Sequence, residues 1–123
     1  MVGTNRRRLT YTKKDLVKLV VKATNSKIPE CTKWVDQVLK ALREVIMSAN
    51  PELRIELRDF GVFEVKLTKP KPQARNPRSG EIIYVPSHRK THFKPSKLLK
   101  KFLSQPMDQK LNIDRPNKSL NQK

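Results

Sequence analysis

Between Lys66 and Lys90 the chain makes an excursion for which a packed core has no use. Its centre reads Ala74-Arg75-Asn76-Pro77-Arg78-Ser79-Gly80, in which Asn-Pro and Ser-Gly are turn dipeptides. Extended segments flank this turn, and Lys66, Lys69, Lys71, Arg75, Arg78, Arg89 and Lys90 stud the whole length. Burying so many cations without partners is costly. A long hairpin with a basic, proline-bearing tip therefore belongs outside the body, where it suits reaching around a polyanion.

Charge points the same way. The 123 residues carry 28 Lys and Arg against 11 Asp and Glu, a formal net charge of +17. Each neutralised phosphate releases condensed counterions, so such an excess favours a phosphate-rich partner. The excess is uneven: residues 60–103 hold eleven basic and two acidic side chains, residues 13–59 ten and seven. The second half is thus the expected contact surface and the first half the scaffold. An anionic membrane would also attract the charge, but Lys18 interrupts the apolar segment Leu16–Val21, which is far too short to span a bilayer. A single cysteine, Cys31, excludes an intramolecular disulfide and fits a reducing compartment. Arg6-Arg7-Arg8 has no apolar run after it, so no export signal is complete. The expectation is a soluble cytoplasmic protein.

Residues 1–11 are polar and basic without periodicity and read as a flexible arm. Thr12-Lys13-Lys14-Asp15 is a capping-box variant that opens a helix, with Leu16, Leu19, Val20 and Ala23 on one face and Thr24-Asn25-Ser26 at its end. Pro29 suits the first turn of a second helix, which Asn50-Pro51 stops. Leu53, Ile55 and Leu57 alternate with charged residues as a half-buried strand, Asp59-Phe60-Gly61 turns, and Phe63, Val65 and Leu67 alternate again. Pro70 and Pro72 cannot donate to a ladder, so they belong on an outer edge of a ribbon leaving the body. Ile82 to Val85 returns as a strand, Phe93 re-enters the core, and Lys94-Pro95-Ser96 starts a last helix with Leu98, Leu99, Phe102 and Leu103 on one face. Residues 104–123 read as a disordered polar tail. Residues 12–103 make one α+β domain.

Without arm and tails, roughly 60–65 residues remain, a size at which a single core is marginal. Yet Trp34, Val35, Val38, Leu39, Leu42, Val45 and Ile46 give the second helix an apolar stripe too wide for one partner surface. Phe60, Phe63 and Phe93 add more apolar area than three short strands can cover. The expected answer is an intertwined dimer with Trp34, Val38, Leu42, Val45, Phe60, Phe63 and Phe93 in its core. The alternative is a small monomer with some of these side chains exposed.

The order helix, helix, strand, Asp59-Phe60-Gly61-Val62-Phe63, basic arm with Arg75-Asn76-Pro77-Arg78-Ser79-Gly80, then Phe93-Lys94-Pro95-Ser96-Lys97-Leu98-Leu99-Lys100 resembles the bacterial HU/IHF family of histone-like, nucleoid-associated proteins. The resemblance covers about residues 10–103. It departs from the family where Asp59 replaces the usual Gly before Phe-Gly, in an arm one residue longer between Phe63 and Asn76, and in the two tails. The resemblance implies a helical hairpin, a three-stranded antiparallel sheet extended into a β-arm over about residues 66–90, and a short C-terminal helix. It implies a homodimer, or a heterodimer with a paralogue, that wraps double-stranded DNA along the minor groove and bends or compacts it in the bacterial nucleoid. This family is itself a standard example of minor-groove architectural binding by inserted apolar wedges. By position the wedge is Pro77, flanked in the groove by Arg75, Asn76 and Arg78. Lys66, Lys69, Lys71, Arg89 and Lys90 would line the arm and its base. Lys13, Ser96, Lys97 and Lys100 would bind phosphate on the body.

Two other classes compete. An RNA-binding or ribosome-associated protein has similar charge and length, but RNA modules display aromatics for base stacking. Here Phe60, Phe63 and Phe93 fall at core-like positions and only Tyr84 is a candidate platform; RNA stays a possible secondary partner. A nuclease would need clustered carboxylates for metal ions, and the arm holds only Glu64 and Glu81. His88 and His92 with a distant Cys31 do not make a zinc site, and no metal or other cofactor is expected.

Overall fold

The computed structural model describes residues 8–107 and Ile113, so residues 1–7 of the arm expected over residues 1–11, and most of the tail, lie outside the described residues. The chain divides into two compact units, one reaching Ala41 and the other beginning at Leu42.

The first unit holds α1 (Lys13–Thr24) and the larger part of α2 (Ile28–Met47). Asp15 accepts hydrogen bonds from both the backbone N–H and the hydroxyl of Thr12, at 2.8 and 2.9 Å, which fixes the start of α1 at the Thr-x-x-Asp signal. Asn25 takes a left-handed conformation and donates its N–H to the Val21 carbonyl at 2.7 Å, ending the helix. Val17 and Cys31 are the buried apolar side chains of this unit, each 4% exposed.

In the second unit β1 (Leu53–Leu57), β2 (Gly61–Leu67) and β5 (Arg89–Pro95) form an antiparallel sheet in the order β1-β2-β5. Pairing sets Leu53 opposite Val65, Ile55 opposite Phe63, and Phe63 opposite Phe93. One face is therefore apolar and carries Phe63 and Phe93, whose ring centroids lie 4.9 Å apart with Phe60 at 5.1 Å from Phe93. The other face carries Arg54, Glu64, Lys66, Lys90, His92 and Lys94. A short helix, α3 (Lys97–Leu103), follows, with the Ser96 hydroxyl accepting from the Leu99 N–H at 3.3 Å as its cap.

The turn between β1 and β2 accounts for one departure from the family pattern. Asp59 sits at φ 66°, the left-handed region in which glycine is most at ease and Asp is tolerated better than most residues. Gly61 answers to a different constraint, because a Cβ there would collide with the Lys94 carbonyl oxygen and the Phe93 ring.

The arm does not continue the sheet without a break. β2 ends at Leu67, and β3 (Lys71–Arg75) pairs with β4 (Ile82–Val85) as a separate two-stranded ribbon. At the joint Thr68 donates its N–H to the His88 carbonyl at 2.8 Å, and the His88 N–H donates to the Thr68 hydroxyl at 3.0 Å. Within the ribbon the register shifts between Lys71 and Ala74, three steps along β3 facing two along β4 from Val85 to Ile83. The residue by which β3 outruns β4 is thus absorbed as an irregularity between Lys71 and Ala74, where Pro72 has no N–H to lose from the ladder.

The two described glycines, one in a turn and one in the arm, resist substitution for different reasons. Gly61→Ala should destabilise by about 1–3 kcal/mol through overpacking, read as a lower denaturation midpoint with an unchanged m-value. Gly80→Ala, with φ 75° and open space around it, should cost only the left-handed strain of about 1–2 kcal/mol. A wild-type denaturation midpoint for Gly61→Ala would contradict the Gly61 contact.

Candidate nucleic-acid interface

At the far end of the arm the chain folds into a closed loop. The Asn76 N–H donates to the Glu81 carbonyl and the Gly80 N–H to the Asn76 carbonyl, both at 2.7 Å. Inside this frame the Arg78 N–H donates to Asn76 Oδ1 at 2.9 Å and the Glu81 N–H to the Ser79 hydroxyl at 3.2 Å. Arg75 reaches across the loop and donates from Nη1 to the Gly80 carbonyl at 3.1 Å. Pro77 therefore stands at the tip of a turn whose walls are internally bonded. Arg75, Asn76 and Arg78 are gathered around it as the sequence predicts, but Arg75 and Asn76 also have bonds to make within the loop.

Lys66, Lys69, Lys71 and Lys90 are exposed along the arm and its base. Arg89 is placed otherwise. It follows the opposite face of β5 from Lys90, since neighbours in a strand alternate, and its guanidinium donates to the Ala49 carbonyl at 2.6 Å. The last turn of α2 has no basic side chain of its own. Arg89 supplies the cation that free carbonyls at a helix C-terminus favour. A structural partner thus occupies the guanidinium that spacing alone groups with the phosphate contacts.

On the body Ser96 spends its hydroxyl on the α3 cap, while Lys97 and Lys100 are exposed beside it. In the other unit Lys13 forms an ion pair with Asp36 at 2.5 Å. Tyr84 is exposed on β4, and His88 is bound into the arm joint through Thr68.

Periodicity did not single out the cluster on the polar sheet face. Glu64, whose side chain is only 8% exposed, lies among Lys94 at 3.3 Å, Lys66 at 3.7 Å and Arg54 at 3.7 Å. Its Oε1 is buried with no well-formed hydrogen bond, so these cations are its compensation. Burial alone would raise its pKa, but the Lys94 contact and the charges of Lys66, Lys94 and Arg54 outweigh burial and hold the carboxyl below its ordinary value. Knowing that Arg54 and His92 pair with Glu64 would have revealed the cluster; the strand alternation alone does not give that register.

Comparisons with other proteins bear on this geometry. The family described as bacterial DNA-binding protein matches residues 11–104. Integration host factor subunit beta of Marinomonas sp. (strain MWYL1) is 35% identical over 103 residues, covering 82% of this chain and 96% of that protein. DNA-binding protein HU 1 of Bacillus subtilis (strain 168) is 33% identical over 88 residues, covering 72% and 91%. In fold, the chain is similar to the HU of an Anabaena HU–DNA cocrystal structure, with a TM-score of 0.67, 24% identity, and coverage of 78% of this chain and 100% of that one. An exposed cationic ribbon on a small α+β body defines a DNA-binding architectural protein. The chain belongs to the bacterial DNA-binding family that contains the HU and IHF proteins.

The lowered carboxyl of Glu64 has a definite sign. Its contribution to stability is present above the unfolded-state value of 4.5 and is lost as the pH falls through the lower folded-state value. Thermal midpoints of wild type should exceed those of Glu64→Gln at neutral pH, and the gap should close in acid. A gap that stays constant down to pH about 2 would rule out the ion-pair account.

Proposed function

We propose that two copies of this chain clamp duplex DNA with their arms in the minor groove, and that Pro77 enters a base step and kinks the helix. The observation that carries this reading is the tip itself: an apolar ring held forward by an internally bonded turn and flanked by two arginines. A rigid pyrrolidine replaces lost stacking and has no N–H to leave unsatisfied. The narrow groove concentrates the negative potential that Arg75 and Arg78 would meet. Lys66, Lys69, Lys71 and Lys90 would follow the phosphates along the arm, with Lys13, Ser96, Lys97 and Lys100 on the body, and the partnered Arg89 at the arm base. Nucleoid organisation in a bacterial cytoplasm is the setting this implies. No helix among the described residues is long and apolar enough to cross a membrane.

The second copy is inferred from what one chain leaves uncovered. Along α2, Trp34, Val38 and Val45 are 61%, 58% and 44% exposed, spaced as one helical stripe, and Phe60 and Phe93 are 49% and 41% exposed. Apolar area on this scale marks an association surface. Sedimentation equilibrium should give twice the chain mass of 14.3 kDa, and Val38→Glu should lower it or unfold the protein at the same concentration. A wild-type mass of one chain would refute the dimer.

Bending is tested by end-to-end FRET on a roughly 35-base-pair duplex. Wild type should raise transfer steeply; Pro77→Ala should lose most of the rise while its Kd changes by less than about tenfold. Across salt, log K should fall by about 5–9 per decade if roughly six to ten phosphates are neutralised. Binding without bending, or preference for an RNA duplex competitor, would leave the arm a cationic clamp and nothing more.

A further inference from the structure

Asn76 is the most heavily bonded residue of the arm tip. Its N–H and C=O join the two sides of the loop, to Glu81 and from Gly80, and its side-chain oxygen accepts the Arg78 N–H across Pro77. The residue before a proline is pushed toward extended geometry, so a chain passing through Asn76-Pro77 tends to run straight on. An Asn side chain that captures the N–H two residues ahead folds it back instead. The capture needs an acceptor on a short side chain, and at position 76 the carboxamide provides it.

By contrast, the family resemblance gives Asn76 a place in the groove beside Pro77. In the structure the oxygen end of that carboxamide is already engaged at 2.9 Å. The amide nitrogen is a separate donor, and while the oxygen holds the Arg78 N–H it can meet a base only from the pose that this bond fixes. The neighbouring Arg78 guanidinium has no such tie among the described residues and remains free for phosphate or groove. Arg75, bonded to Gly80, shares the work of closing the loop.

We propose that Asn76 is a positioning residue, whose side-chain oxygen holds the turn that presents Pro77, and that its effect on bending runs through this bond. This rests on the wedge role of Pro77. A wedge converts binding energy into a kink only if its ring stays forward when it meets the stack. An unlatched tip would spend part of that energy on being ordered. Asn76 thus governs how far the DNA bends more than how tightly it is held.

The test uses the full chain, with Asn76→Ala, Asn76→Ser and wild type compared in two measurements. The first is amide hydrogen exchange at Arg78 in the free protein. The second is FRET bending at saturating protein, together with Kd. Asn76→Ala should speed Arg78 exchange by roughly two- to tenfold, the range of one net hydrogen bond, and lower the FRET change with little loss of affinity. Asn76→Ser, whose hydroxyl accepts from the same N–H but offers no amide donor, should restore both. Unchanged Arg78 exchange in Asn76→Ala overturns the latch. So does full bending by Asn76→Ala, or a serine variant that protects Arg78 yet bends no better than alanine, which would return the carboxamide to base contact. Wild-type binding without bending is a different failure: it removes the wedge itself, and leaves the exchange result to show whether the turn is built as described.

Discussion

Everything beyond the helices depends on the antiparallel pairing of β2 with β5, from Gly61 opposite Pro95 to Leu67 opposite Arg89. It joins segments more than twenty residues apart, so whatever lies between them must leave the sheet and return to it. The arm is that intervening chain. The same pairing decides orientation, because alternate side chains on paired strands share a face. It puts Phe63 on Phe93, and Glu64 between Arg54 and His92. At its end Gly61 lets the Phe93 ring and the Lys94 carbonyl come closer than any side chain would allow.

The electrostatics follow from that arrangement. A chain with a net charge of +17 must keep its cations apart or give them counter-charges. Most of the arm lysines are kept apart along an exposed ribbon. On the body, where Arg54, Lys66 and Lys94 converge, Glu64 stands among them with its carboxylate buried beneath their long side chains. Arg89 meets another demand, the free carbonyls that follow α2. Basic residues in this protein therefore do two jobs. Which job each does depends on the partners that strand pairing brings to it, and Lys66, at the edge of both groups, is placed for either.

That distinction marks the limit of what sequence made legible. The period of 3.6 located α1 and α2, the Thr12 and Ser96 caps marked two helix starts, alternation placed β1, and the apolar return from Ile82 to Val85 coincides with β4. The cationic turn at Arg75 to Gly80 was legible because Asn-Pro and Ser-Gly have few other uses. Sequence groups Arg89 with Lys90 because the Ala49 carbonyl that takes the Arg89 guanidinium, forty residues away, is a tertiary partner. Glu64 passed for an ordinary strand acid for the same reason. The break after Leu67 and the irregularity between Lys71 and Ala74 were hidden because an extended chain gives no local sign of where its partner slips.

The thin core and the exposed tip are two consequences of one allocation of residues. The described apolar side chains that a single chain buries deeply are Val17, Cys31, Ala49 and Val65, a small store of hydrophobic free energy for a domain of this length. Much of the remaining apolar surface lies on α2 and the Phe60–Phe93 cluster, where the proposed second copy would cover it. A body stabilised mainly by association could hold two arms at a fixed separation, which no monomer with one arm can do. Bending a stiff duplex requires force at separated points, so the same surface that completes the core would also set the distance between the two wedges. On this view the stability of the protein and the geometry of its DNA complex share one interface, and a substitution along Trp34, Val38 and Val45 would disturb both.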